Sequence, residues 1–156
     1  MTVSDKCFWE DIEPGRVFET HAISLAAPEI RAFASSFDPQ PYHLDRDLAE
    51  ASLFGGLCAS GWHVCALMMK LVSDHLAEEK IPLLGNDQVP WLRWFSPVFE
   101  GDSISGHITV TSKNAPDGDA DFGEIICDIV VNNQDNKKVM ALTTNLMIES
   151  GEMNDA

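Results

Sequence analysis

Basic residues and long apolar runs are both scarce in this chain of 156 residues. Ten lysines and arginines stand against 25 aspartates and glutamates, which gives a formal net charge of −15. Such a surface repels phosphate backbones and anionic lipid headgroups, so we expect no nucleic-acid partner and no membrane partner. The longest apolar stretch, 64–72, has nine residues and includes Lys70, whereas a membrane-spanning helix needs about 20.

Cysteine is sparse as well. The four cysteines, at positions 7, 58, 65 and 127, include no C-x-x-C pair, and nothing in their spacing indicates a disulfide framework. The first ten residues lack the charged-then-apolar pattern of a secretory signal. We therefore predict a reduced, cytoplasmic protein. No set of histidines and cysteines has ligand spacing, so no metal site is predicted.

The remaining composition is that of an ordinary globular domain. Hydrophobic residues make up 45% of the chain and charged residues 22%, and no repeat or linker interrupts it. A length of 156 residues suits a single domain. We predict one domain over 1–156 that ends in a polar, frayed tail at 149–156.

Hydrophobic patterning predicts a strand, then helices, then four strands. Pro28 and the helical spacing of the apolar residues behind it indicate a helix, which the prolines after Asp38 end. Asp45 is expected to cap a second, short helix. The predicted elements are strands at 16–24, 89–98, 102–113, 124–131 and 139–148, and helices at 28–37, 46–51 and 61–77.

The helix at 61–77 is apolar on every side of its first three turns, which predicts that it is buried on all sides. Successive strands joined by short turns pair antiparallel. The sequence therefore predicts an α+β fold in which an antiparallel sheet wraps around a central buried helix.

Two residues with acid–base chemistry, Asp38 and His43, lie five positions apart with two prolines between them. We expect neither to lie in a regular helix, and both to be held on a stiff loop where a carboxylate and an imidazole can act as a catalytic pair. Each has a simpler interpretation as well: an aspartate before proline is commonly a turn residue, and a single histidine is often only packed.

The start of the helix at 61–77 offers a second element of a site. First-turn N–H groups lack intrahelical partners, and Gly61 lets another group approach them closely. Such a place can hold a carbonyl oxygen that gains negative charge. Ser60 is predicted as the N-cap rather than a nucleophile, since no G-x-S-x-G motif surrounds it.

These residues resemble a known family. The segment DPQPYHLD at 38–45 resembles the D-x-N-P-x-H-x-D motif of the MaoC-like dehydratases and (R)-specific enoyl-CoA hydratases. FWEDIEPG at 8–15, FGGLCASG at 54–61 and FSPVFEGD at 95–102 resemble further segments of that family in the same order. The resemblance covers roughly 8–148, which it implies to be the core of the domain.

The resemblance implies a hot-dog fold, a homodimer and reversible hydration of a trans-2-enoyl thioester. By this likeness, Asp38 and His43 activate the water and return the proton, while the Gly61 N–H holds the thioester oxygen. Ser60 and Trp62 would join Gly61 in binding the substrate, with coenzyme A as part of that substrate and no other cofactor. Gln40 stands where the motif has Asn, and Trp62 is bulky. The resemblance therefore does not determine the length or identity of the acyl group.

Two other functions stay open at this point. A hot-dog thioesterase would deliver water to the carbonyl carbon, and a non-catalytic acyl-binding subunit would have Asp38 and His43 far apart or a pocket plugged by Trp62. Coenzyme A is preferred over an acidic carrier protein, because a few cations can bind a small phosphate group on an acidic surface. The candidate cations are Arg31, Arg46, Lys70, Arg93 and Lys113.

Overall fold

The computed structural model describes residues 5–152, and its elements follow the predicted order. A short 3-10 helix at Trp9–Asp11 precedes the main elements. The strands are β1 (Val17–Glu19), β2 (Ile23–Ser24), β3 (Leu83–Trp94), β4 (Ser103–Asn114), β5 (Phe122–Asn133) and β6 (Lys138–Glu149). The helices are α1 (Ala27–Phe37), α2 (Pro41–Leu44), α3 (Arg46–Glu50) and α4 (Gly61–Glu78).

The six strands form one antiparallel sheet in the order β1-β4-β5-β6-β3, and β2 also pairs with β4. The predicted α+β class and antiparallel pairing are confirmed. In β4 every second residue is buried from Ile104 to Val110, as the alternation predicts. The predicted strand 16–24 is two short strands, because the chain leaves regular β structure between Glu19 and Ile23.

The helix α4 packs one face into the core. Its buried apolar residues join those of β4, β5 and β6 in a single cluster; on α4 they are Val64, Met68, Leu71, Val72 and Leu76. The expectation of burial on all sides is wrong, since Trp62, Ala66 and Lys70 are exposed. These three are four residues apart and so share one face of the helix, which the sheet of this chain does not cover.

The strand β3 lies at the edge of the sheet, and among residues 5–152 it pairs only with β6. It begins at Leu83 and ends at Trp94, whereas the sequence predicted a strand at 89–98. Its pairing with β6 shifts register three times. One shift spans Pro90, which has no N–H to donate, and an edge strand is where a sheet accepts proline. Leu84, Val89 and Trp91 on this strand are about half exposed.

The segment after α1 is more helical than predicted. Asp38 is the C-cap of α1, but His43 lies in α2, a four-residue helix with Pro41 in its first turn. Proline is favoured at the first helical position because its φ is fixed there and its missing N–H is not needed. The expectation that His43 lies outside helices is therefore wrong.

The chain beyond β6 stays packed for a short distance. Ser150 is 1% exposed; its N–H donates to the Asp121 carbonyl, and the Gly151 N–H donates to the Glu10 carboxylate at 3.0 Å. The predicted tail therefore begins with residues that belong to the fold. Positions 153–156 lie outside the described residues. Within 5–152, no helix is long and apolar enough to cross a membrane.

Candidate active site

The structure brings Asp38 and His43 together. Oδ2 of Asp38 lies 3.4 Å from Nε2 of His43. The side chain of His43 is 6% exposed and that of Asp38 is 25% exposed. The pair is thus shielded on the histidine side and reaches solvent-accessible space through the carboxylate.

Backbone contacts set the tautomer of His43. Its Nδ1 lies 2.6 Å from the Cys58 carbonyl oxygen, which can only accept, so Nδ1 carries the hydrogen. In the neutral ring Nε2 then has a free lone pair, and it points at Asp38. Two acceptors at this distance can both receive hydrogens from one water molecule, which is the arrangement that a general base requires.

Ser60 acts on the same carboxylate. Its hydroxyl donates to Oδ2 of Asp38 at 2.7 Å, and the residue is fully buried. Ser60 occupies the N-cap position of α4, but its side chain makes no capping hydrogen bond. The hydroxyl has a charged acceptor available, and hydrogen bonds to carboxylates are stronger than those to neutral groups. Ser60 therefore helps to orient Asp38.

The first turn of α4 is covered by Trp94. Its Nε1 donates to the Gly61 carbonyl at 2.9 Å, and its ring meets that of Trp62 edge to face at 4.9 Å between centroids. A Cβ on Gly61 would lie 2.8 Å from two atoms of the indole. Glycine is thus required here for close approach of the two elements. Trp62 is 62% exposed and leaves the cavity open.

All of these elements meet at one cavity of about 350 Å³. Of the five predicted site residues, Asp38, His43, Gly61 and Trp62 line it, and Ser60 lies behind Asp38. Sequence reasoning did not single out the rest of the wall. Eight of those residues lie in the family-like segments 38–45, 54–61 and 95–102, and Val64, Trp94 and Val139 lie outside them. The missed residues are Tyr42, Phe54, Cys58, Ala59, Val64, Trp94, Phe95, Ser96, Pro97, Val98 and Val139.

The cavity has no activated nucleophile among its cysteines. Burial raises the pKa of the Cys58 thiol to about 11, so the thiol stays protonated near neutral pH and is a poor nucleophile. Within the described part of the chain, no group of three or more His, Cys, Asp or Glu side chains could hold a metal ion. Asp38 and His43 supply a carboxylate and an imidazole to the wall of this cavity.

A second buried histidine lies near the site but does not line the cavity. His63 on α4 stacks on Phe33 of α1, with 4.6 Å between ring centroids. Its Nδ1 is buried and contacts no hydrogen-bond partner among residues 5–152. Desolvation lowers the pKa of this imidazole, and the charge of Glu29 opposes that effect. His63 is therefore held neutral in the helix–helix interface.

Comparison with known proteins identifies the family. Residues 11–124 match the sequence model of the MaoC like domain. The chain belongs to this family. A MaoC-like dehydratase from Rhodospirillum rubrum is 34% identical, with a TM-score of 0.78 over 92% of this chain and 97% of that one. These matches confirm the predicted family and its hot-dog fold.

This MaoC-like chain also matches more distant relatives. The (R)-hydratase PhaJ1 from Pseudomonas aeruginosa shares the fold at 24% identity, with a TM-score of 0.67 over 92% of this chain and 86% of that one. The uncharacterized protein YdeM of Bacillus subtilis is 28% identical over 100 residues, which are 64% of this chain and 70% of YdeM. The family model and the 34% identical dehydratase together support hydratase or dehydratase chemistry in general.

Proposed function

We propose that this MaoC-like protein adds water reversibly across the double bond of a trans-2-enoyl thioester, converting enoyl-CoA to 3-hydroxyacyl-CoA. The observation that carries the proposal is the Asp38–His43 pair, 3.4 Å apart at the wall of the cavity. Both groups lie beside the amino end of α4, where N–H groups and the helix dipole favour negative charge.

Each step of the reaction has a group to perform it. A water that donates to Nε2 of His43 and to Asp38 attacks the β-carbon, and the pair takes up one of its protons. Electrons move through the conjugated system to the thioester oxygen, which a first-turn N–H of α4 stabilises. The pair then returns that proton to the α-carbon, so that one water has been added and the pair regains its starting state. Dehydration is the same sequence in reverse.

Two features of the site argue against the non-catalytic alternative. Asp38 and His43 are close enough to share a water, and Trp62 points largely into solvent instead of plugging the cavity.

Ser60 is unsuited to nucleophilic attack on a thioester because it is fully buried and already donates to Asp38. Direct hydrolysis of the thioester by an activated water is distinguished by its product, a free acid.

The exposed edge of β3 bears on the oligomeric state of the protein. One edge of β3 has no strand partner among the described residues, and it carries the exposed side chains of Leu84, Val89 and Trp91. A second copy that joins at this edge would cover them, and we therefore propose a homodimer.

Four free cysteines support a reducing, cytoplasmic setting. The substrate's coenzyme A is the only cofactor moiety proposed.

A panel of trans-2-enoyl-CoA substrates of increasing acyl length tests this function. Hydration removes the conjugated thioester absorbance, so at least one member of the panel should lose it with multiple turnovers. Asp38→Ala and His43→Ala should each lower the turnover number by roughly 10²–10⁴ while the far-ultraviolet circular dichroism is unchanged. Full turnover in both variants would contradict the assignment.

A further inference from the structure

Most cations of this acidic protein are already neutralised. Salt bridges within 5–152 hold six of the ten, namely Lys6, Arg16, Arg46, Lys70, Lys80 and Lys113. Arg31 donates from Nε to the Leu44 carbonyl. The side chains of Arg93, Lys137 and Lys138 contact no carboxylate in the part of the chain that the structure describes.

Two of these three cations meet at one aromatic ring. The guanidinium carbon of Arg93 lies 4.9 Å from the centroid of Phe95, and Nζ of Lys138 lies 5.0 Å from it. Arg93 is near the end of β3 and Lys138 begins β6. The Phe95 N–H donates to the Val139 carbonyl at 2.9 Å, which fixes the two strand ends beside each other.

The same ring is part of the cavity. Phe95 lines it together with its neighbours Trp94 and Val139, and at 42% exposure it lies where the cavity meets solvent. Arg93 and Lys138 are themselves exposed. The wall of the cavity that Asp38 and His43 line therefore includes a ring that two positive charges contact.

An aromatic face holds a cation without neutralising it, unlike the carboxylates that pair with six of the other eight cations. The chain has a net charge of −15, but dissolved salt screens the repulsion between distant carboxylates and a bound anion. Two positive charges close together can therefore still attract an anion. The geometry points to Arg93 and Lys138 as the phosphate-binding subsite for the coenzyme A moiety of the substrate. This inference rests on the proposed function and identifies which residues recognise the carrier.

Coenzyme A suits this subsite better than a carrier protein. Both carry pantetheine, but coenzyme A adds a diphosphate and a 3′-phosphate, which two adjacent cations can bind at once. A carrier protein presents one phosphate on an acidic surface, which the net charge of −15 on this chain would repel.

The test uses one enoyl group on coenzyme A, on pantetheine and on an acidic carrier protein. In Arg93→Gln/Lys138→Gln, KM for the enoyl-CoA should rise about tenfold, since each exposed charge pair contributes roughly threefold to binding. KM for enoyl-pantetheine, which has no phosphate, should stay the same. Arg93→Lys/Lys138→Arg keeps both charges and should recover most of the affinity.

A matched control separates a local effect from net charge. Lys70→Gln/Lys80→Gln also removes two positive charges, at residues that pair with Asp74 and Asp5, and it should leave both KM values unchanged. An equal rise in this control would attribute the effect to net charge and overturn the subsite. Turnover of the carrier-protein substrate with a lower KM than enoyl-CoA would overturn the choice of coenzyme A.

Binding of free coenzyme A, measured by calorimetry, tests the subsite without catalysis. The wild-type protein should bind it about tenfold more tightly than Arg93→Gln/Lys138→Gln. Equal affinity in a protein that hydrates enoyl-CoA would overturn the subsite and leave the proposed function intact. Charge-dependent binding in a protein that hydrates no enoyl thioester would support the subsite and contradict the proposed function.

Discussion

Replacing Gly61 by alanine tests how closely the start of α4 meets β3. The added Cβ would lie 2.8 Å from Cε2 and Nε1 of Trp94 and 3.2 Å from Cδ1, and contacts under 3.0 Å require movement. Alanine is otherwise better than glycine in a helix, so any destabilisation must come from this contact. Trp94 is 40% exposed and can rotate outward to relieve it.

The cost of that rotation follows from the contacts that Trp94 makes. The indole would give up its hydrogen bond to the Gly61 carbonyl, worth about 1 kcal/mol, and its edge contact with Trp62, worth about 0.5–1.5 kcal/mol. Together these losses come to about 2 kcal/mol, and the better helix propensity of alanine offsets up to about 1 kcal/mol of them. Gly61→Ala should therefore lower the free energy of unfolding by about 1 kcal/mol. Urea denaturation followed by circular dichroism measures this difference.

A double-mutant cycle isolates the contact. In a Trp94→Leu background no indole meets the new methyl group, so Gly61→Ala should cost less than about 0.5 kcal/mol there. If Gly61→Ala costs as much in that background as in the wild type, the clash does not involve Trp94 and the reasoning is refuted.

Two further predictions concern single residues near the site. Ser60→Ala removes the hydroxyl that donates to Asp38 and should lower the turnover number roughly tenfold with little change in KM, as steady-state kinetics will show; an unchanged turnover number would contradict a positioning role. Burial lowers the pKa of His63 below its ordinary value of 6.5. As the pH drops below 6.5, the unfolded state therefore binds more protons at this residue than the folded state does, and the free energy of unfolding decreases. His63→Phe should lose less stability than the wild type between pH 7.5 and 5.5 in thermal unfolding, and identical losses would contradict this explanation.

The fold was most predictable where one face of an element is buried. The alternation in β4 is clear because Ile104, Ile108 and Val110 face the core while their neighbours do not. The bounds of β3 were misplaced because an edge strand with register shifts buries few side chains and shows no regular alternation. The apolar composition of α4 suggested burial on every side, but composition alone does not show which face the sheet covers.

Local residues of the site were easier to find than distant ones. Asp38 and His43 are joined by a short proline-rich segment, so their proximity follows from spacing. The bond from Ser60 to Asp38 spans 22 positions and Trp94 reaches Gly61 across 33, and neither contact has a local signal. The pairing of β3 with β6 places Phe95 beside Lys138, which only the sheet topology reveals.

The central claim is that Asp38 and His43 direct water to the β-carbon of an enoyl thioester. The most direct test is mass spectrometry of the product formed from enoyl-CoA in water enriched in oxygen-18. The product should be an intact thioester that has gained one labelled water, with the label at the 3-hydroxyl. Asp38→Asn and His43→Gln should form it roughly 10²–10⁴ times more slowly. A labelled free acid, or labelled hydroxyacyl-CoA formed by both variants at the wild-type rate, would contradict it.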